Sequence, residues 1–305
     1  MVHFVRALIT GGGGFVGRWL AEHLRSEGDS VTVIDLEVDV TDPAAIGAAT
    51  ESAAPDAVYH LAALAHVGES WDAPTEVYRV NILGTANVLA AARSVAPGAA
   101  VLVVSSAEVY GTVPPDVLPL TEDRPTAPAT PYAASKAAAE QVALQAHLGY
   151  GQRAIVARPF NHIGPGQSPA FAVSALSRRI VEAMTSGARA MPVGTLTTRR
   201  DFTDVRDVVR AYRLLVLHGQ AGGVYNICSG ADVAIGEVAH RLLELAGSDL
   251  VLETDPALVR PVDLPVLQGD PTRLETATGW KPAIDLDQTL TDVLADWRRR
   301  LSPGR

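Results

Sequence analysis

The chain contains a single cysteine, Cys228, in 305 residues, so no intrachain disulfide can form. It contains no uninterrupted apolar run of 18 residues, about the minimum for a membrane-spanning helix. Long basic runs are also missing, and the net charge is −9. That balance argues against nucleic acid or an anionic membrane as the main partner. No internal repeat or low-complexity tract interrupts the sequence. His66 and His162 do not stand at metal-ligand spacing with other ligands, so no metal site is expected. The N-terminus opens directly on strand-like sequence without a signal-peptide pattern, and a cytoplasmic location is expected. What is present is 48% hydrophobic and 19% charged residues. That is enough apolar material for one large or two modest domains.

The organising stretch runs from Ala7 to Gly17, ALITGGGGFVG. An apolar run of buried-strand type breaks into glycines at Gly11, Gly14 and Gly17, then continues as a helical pattern from Phe15 to Leu24. Glycines at such a turn allow a tight bend, backbone approach to a pyrophosphate and close helix–strand packing. Taken alone, the cluster also fits a plain strand–helix turn. A second buried-type strand, Val31 to Asp35, ends in an acid 18 residues after Gly17. A carboxylate there can accept hydrogen bonds from the adenosine ribose and repels a 2′-phosphate, which favours NAD over NADP.

Further strands are expected over Ala57–Leu61, Ala100–Ser105 and Gln152–Arg158, with helices over Ala44–Ala54, Pro74–Arg93 and Pro131–Gln145. Residues 111–130 hold five prolines and read as an irregular loop. This alternation predicts an α/β fold with a doubly wound parallel sheet, whose ligands bind beyond the C-terminal strand ends. The glycine turn, Asp35, Ala62–Ala63 and Ser105–Ser106 all lie at those ends. The second half is less regular. Helices are expected at 172–186, 205–218, 235–246 and 286–300 and a strand at 224–228. Residues 199–204 read as polar, 258–268 as extended and 298–305 as a solvated tail. Residues 1–158 are thus expected to form the dinucleotide-binding domain. Residues 159–305 mainly form a smaller α/β substrate lobe, with some elements returning to the first.

Tyr132 and Lys136 form Y-x-x-x-K, one turn apart on one helix face. A lysine ammonium and a positive nicotinamide ring would favour the tyrosine phenolate, making Tyr132 a proton acceptor or donor at a hydroxyl-bearing carbon. Ser106, at a strand end, could orient the reacting oxygen or simply cap the strand. Glu108 could be an acid or base at a sugar carbon, or a loop carboxylate. Arg200 and Arg260 carry forked donors suited to phosphate, or serve solubility.

Several motifs together resemble the extended short-chain dehydrogenase/reductases, the nucleotide-sugar epimerases, dehydratases and reductases. They are T-G-x-x-G-F-x-G at 10–17, H-L-A-A at 60–63, S-S-A-E-V-Y-G at 105–111 and P-Y-x-x-S-K at 131–136. The likeness continues through R-P-F-N-H-I-G-P-G-Q at 158–167, R-D-F-T-D-V-R-D at 200–207, R-P-V-D-L-P at 260–265 and G-W-K-P at 279–282. The second half is most similar to GDP-4-keto-6-deoxy-D-mannose reductases and their GDP-mannose 4,6-dehydratase relatives. The resemblance implies a Rossmann sheet with NAD held by Gly11, Gly14, Phe15, Val16, Gly17, Asp35, Leu61, Ala62 and Ala63, with Asp39 and Val40 by the adenine. It implies Tyr132 as acid/base, Lys136 as its helper and contact to the nicotinamide ribose, and Ser106 as the third member. Asn161, Arg200 and Arg260 would hold the nucleotide diphosphate of a sugar nucleotide, a GDP-sugar being favoured. Helices 74–93 and 131–145 would pair with a second subunit as a homodimer.

Two departures bear on the reaction class and point in opposite directions. Ala107 stands where related dehydratases carry an acid or serine, and it cannot donate a proton to a departing 6-hydroxyl. Asp35 disfavours NADPH, on which net reductases often draw, whereas Glu108 keeps proton abstraction at C5 open. The leading expectation is an NAD(H)-dependent 4-reductase of a GDP-4-keto-6-deoxy-mannose type. The alternative is a redox-neutral dehydratase or 4-epimerase with tightly bound NAD. A non-catalytic dinucleotide-binding regulator is a third reading, but it would have no need of Ser106, Tyr132 and Lys136.

Overall fold

The computed structural model describes residues 4–258 and 264–302. Five strands of the first half are β1 (Arg6–Thr10), β2 (Ser30–Ile34), β3 (Ala57–His60), β4 (Ala100–Val104) and β5 (Ala154–Pro159). The interleaved helices are α1 (Phe15–Ser26), α2 (Pro43–Ala53), α3 (Pro74–Tyr78), α4 (Gly84–Val95) and α5 (Pro131–Tyr150). Then come β6 (Asn161–Ile163), α6 (Ala172–Ser186), β7 (Ala190–Val193), β8 (Arg199–Asp204), α7 (Val205–His218), β9 (Val224–Ile227), β10 (Asp232–Ala234), α8 (Ile235–Ala246) and β11 (Val251–Thr254). The described chain closes with β12 (Val266–Leu267), α9 (Thr272–Thr278) and α10 (Leu286–Leu301).

The main sheet is parallel, in the order β2-β1-β3-β4-β5-β9. Its central strands are apolar on both faces because helices cover both. Leu20, Leu24, Tyr212, Leu215 and Trp280 pack one face, drawn from α1, α7 and the segment after α9. Ile46, Val88, Leu89, Ala143 and Ala146 pack the other, from α2, α4 and α5. The order reverses between β1 and β3, the switch point beyond which sheets of this kind bind their ligands. β9 and α7 come from the second half of the chain yet belong to this layer. A second core joins α6, α8 and α10 through Ile180, Leu242, Leu290 and Val293.

Four differences from the sequence reading have physical causes. The helix expected over 74–93 is interrupted by a π turn at Arg79–Leu83, where the side chain of Asn81 makes bonds described below. α5 continues to Tyr150, past 145 and through Gly149, and ends where Gly151 takes the left-handed conformation (φ +69°). The polar stretch 199–204 is the strand β8, at the centre of the second-lobe sheet beside β6, β10 and β12. Its buried acids are satisfied from distant residues. Asp201 accepts from Ser229 N at 2.7 Å and Gly230 N at 2.9 Å, and Asp204 from Thr289 Oγ1 at 2.7 Å. The arginines of the expected solvated tail instead begin within α10, where Arg300 pairs with Asp296 at 3.0 Å. Residues 303–305 lie outside the described residues, as do 259–263 of the expected extended stretch. No described helix is long and apolar enough to cross a membrane.

Candidate active site

The glycine turn is built for contact with a ligand. Gly11 has φ +70°, and a Cβ there would stand 2.7 Å from Ala62 N. A Cβ at Gly17 would stand 2.5 Å from Gly11 O. Gly14 caps α1 without any side-chain hydrogen bond, and no acid occupies the first turn. The first-turn N–H groups of Phe15, Val16 and Gly17 therefore form an anion-accepting cradle, which fits a pyrophosphate. Asp35 follows the last residue of β2, and its N–H donates to Glu37 Oε1 at 2.8 Å. Its carboxylate leans over Gly13, where a Cβ would collide with Oδ2. Farther along the edge, Asp39 accepts from Thr41 N and Oγ1, each at 2.8 Å. Val40 is buried.

A chain of buried polar groups joins this turn to the neighbouring strand end. Ala62 N–H donates to Thr10 Oγ1 at 3.3 Å, leaving that hydroxyl to donate to His60 Nδ1 at 2.8 Å. Thr85 donates to Asn81 O at 2.7 Å, so His60 Nε2–H donates to Thr85 Oγ1 at 3.0 Å. These directions assign His60 to one neutral tautomer. Burial agrees, pushing the imidazole down to about 3, with the Lys136 charge adding to the effect. Leu61 and Ala62 sit at the mouth of this arrangement, and Leu61 N–H donates to Thr10 O at 3.1 Å. Ala63 continues the edge. Asn81 then stitches it to α5. Its amide accepts from Leu64 N at 2.8 Å and donates to Leu64 O at 3.1 Å and Ser135 Oγ at 2.9 Å. Ser135 in turn donates to Tyr132 O at 2.6 Å.

The end of β4 and the first turns of α5 bring Ser106, Glu108, Tyr132 and Lys136 together. Ser106 Oγ accepts from Glu108 N at 3.2 Å, capping the short turn Ala107–Tyr110. Thr130 caps α5 through Ala133 N at 3.1 Å, with Pro131 in its first turn. Burial pushes the Tyr132 phenol up to about 12. A hydrogen bond with Ser106 opposes the shift, and the Glu108 charge adds to it. Of the protein's own groups, these set the phenol, and Lys136 gives its hydrogen bond to Val104 O at 2.7 Å. Burial brings Lys136 down to about 8, against the pull of Glu140.

Behind these four lies a polar network without an assigned role in the sequence reading. Arg158 forms a two-pronged bond to Glu140, at 2.8 Å and 2.7 Å, and also donates to Tyr110 OH at 3.0 Å. Tyr110 donates to Asn226 Oδ1 at 2.7 Å. The usable sequence signal was spacing: Glu140 follows Lys136 by four residues, as Lys136 follows Tyr132.

The second lobe supplies Asn161 and Arg200 on adjacent strands, since β6 pairs with β8. Arg200 is buried, and its Nη1 donates to Arg199 O at 2.8 Å and Leu264 O at 2.6 Å. Arg260 lies outside the described residues.

A parallel sheet opening at its switch point onto a glycine cradle, with a Tyr–Lys pair over β4, defines a dinucleotide-dependent enzyme of the short-chain type. The chain belongs to the NAD dependent epimerase/dehydratase family, whose profile matches residues 7–228. It is 39% identical over 300 residues to the GDP-6-deoxy-D-mannose reductase of Pseudomonas aeruginosa, covering 97% of this chain and 98% of that one. It is also similar to the structure of RMD from Pseudomonas aeruginosa complexed with NADPH. There the TM-score is 0.89 at 38% identity, covering 97% of this chain and 99% of that chain. The UDP-glucose 4-epimerase of Thermus thermophilus in complex with NAD gives a TM-score of 0.87 at 29% identity, covering 96% of this chain and 98% of that chain. The cofactor class is accordingly a nicotinamide dinucleotide.

Proposed function

We propose that the protein is an NADH-dependent reductase acting at C4 of a GDP-4-keto-6-deoxy-mannose-type sugar nucleotide. The observation that carries this reading is the end-to-end likeness to a reductase, joined to a site in which Tyr132 stands beside Ser106 with Lys136 one turn on along α5. A phenol in that place can give its proton to a ketone oxygen as it is reduced. The substrate class rests on the end-to-end likeness to a GDP-6-deoxy-D-mannose reductase. A nicotinamide dinucleotide, when bound, would supply the hydride that the C4 carbon gains. Tyr132 donates its proton to the C4 oxygen, which Ser106 orients. Lys136 contacts the nicotinamide ribose and, as the ammonium, stabilises the phenolate left behind until solvent reprotonates it. The ketone thus gains one hydride and one proton and becomes an alcohol. Ala107 offers no acid for expelling a 6-hydroxyl. Glu108 takes no proton in this reaction, and its charge helps to keep Tyr132 protonated.

Gly11, Gly14, Phe15, Val16, Gly17, Leu61, Ala62 and Ala63 hold the cofactor, with Asp39 and Val40 near its adenine. Asp35 selects NADH by facing the ribose hydroxyls, although a similar reductase is complexed with NADPH. Asn161, Arg200 and Arg260 hold the diphosphate. Residues 1–158 are the dinucleotide domain, and 159–305 mainly the sugar-nucleotide lobe. The protein works in the cytoplasm as a homodimer through α3, α4 and α5, a reading supported by the exposed Leu83, Leu148 and Tyr150.

A redox-neutral dehydratase or epimerase with tightly held NAD is the second reading, favoured by Asp35 and by the closeness of Glu108 to Tyr132. Mass spectrometry of nucleotides released on gentle denaturation separates the two. The reductase reading expects a largely empty site. About one NAD+ per subunit, with turnover lacking added NADH, contradicts it.

A further inference from the structure

We propose that Glu140 is a positioning residue for this reaction: clamped by Arg158 and Ser105, its carboxylate is the fixed counter-charge that keeps Lys136 an ammonium. The inference rests on the reading of Lys136 as the lysine of the site. Tyr132, Lys136 and Glu140 succeed one another at four-residue spacing along one buried face of α5. Glu140 is fully buried, a position where a bare carboxylate is costly. Its Oε1 accepts from Ser105 Oγ and from Arg158 Nε at 2.8 Å, and its Oε2 from Arg158 Nη2 at 2.7 Å. The carboxylate is thereby tied to the ends of both β4 and β5 and has no room to turn away. Lys136 grips Val104 O, Glu140 grips Ser105, and Ser106 comes next. Helix and strand end are therefore held in register by two adjacent ties, one from each charged residue.

The ionisable groups around the ammonium leave Glu140 as its counter-charge. Tyr132 on the same helix is protonated, and His60 on β3 is held neutral by burial. Glu108, on the turn after β4, acts on the Tyr132 phenol. Arg158 on β5 is engaged by Glu140 itself. Burial alone drives the ammonium toward the amine, and Glu140 is the group that opposes this.

The chain has two lysines, Lys136 and Lys281, so protein labelled at lysine Cε gives two resonances, assigned with K281R. The titration of Lys136 can then be followed by NMR without turnover. In E140Q it should move to lower pH by about one unit or more, and the basic limb of kcat/KM should move with it. E140D should keep both in place while kcat falls, because the charge is retained and the clamp is loosened. Should E140Q fail to fold with Arg158 left bare, E140Q/R158Q neutralises both partners and should give a smaller fall in the same direction. An unchanged Lys136 titration in either folded variant overturns the proposal. Failure of the reductase reading would instead show as absent activity with the NMR shift intact.

Discussion

The Tyr132 phenol and the Lys136 ammonium stand one helical turn apart, and burial moves their ionisations in opposite directions, up to about 12 and down to about 8. Reduction uses the neutral phenol and the charged lysine, and both are present below about 8. A pH profile of kcat/KM for ketone reduction should therefore be level near neutrality and fall as pH rises through about 8. A rate still climbing well above that value would contradict the assignment. Y132F removes the proton donor and should lower kcat by roughly 10²–10⁴-fold with a small change in KM, as read by steady-state kinetics. D35A should raise the use of NADPH relative to NADH by about tenfold or more, because like-charge repulsion at the 2′ position is lost. The groups of this site were legible as residue types at a spacing: Gly11 and Gly17, Ser106, Tyr132, Lys136. The direction of the Tyr132 shift was not. It follows from the burial of the ring, with the Glu108 charge adding to it, and neither is a property of neighbouring letters.

Among the elements, the segment from α3 through the π turn to α4 shows how a local irregularity places a site. Asn81 occupies the wide turn, and its amide bonds residue 64 at the cofactor edge and Ser135 behind Tyr132. N81A leaves the Leu64 N–H and C=O without their partner. It should cost about 1–3 kcal/mol, measured by urea denaturation. Wild-type stability in that variant would mean that the stitch is idle. The π turn was hidden because the apolar spacing of residues 74–93 suits an unbroken helix, whereas the Asn81 side chain bonds across to other elements. β8 was hidden for a related reason. Its polar residues look like a loop, yet Asp201 and Asp204 find donors at Ser229 and Thr289, far along the chain. Strands β1, β3, β4 and β5 were legible because they are short apolar runs, buried on both faces, bounded by glycines, acids or serines.

At the scale of the molecule, one sheet carries the glycine turn and the Ser106–Tyr132–Lys136 group, and a small second sheet sets Asn161 and Arg200 on adjacent strands. The chain passes into the second lobe at β6 and returns through α7 and β9, so the core of the main sheet is built from both halves of the chain. The apolar run at 224–228 was legible as a strand, and it is β9 at the edge of the main sheet. The cofactor's phosphate preference and the sugar were not, because each depends on a few side chains at the crevice rather than on the fold that many relatives share. The most direct test of the reductase reading is turnover with deuterated NADH and GDP-4-keto-6-deoxy-D-mannose, following nicotinamide absorbance and the mass of the sugar product. The account predicts NADH consumed in step with a 6-deoxy product carrying deuterium at C4. Conversion of a GDP- or UDP-hexose without added cofactor, with NADH untouched by the ketone, would contradict it.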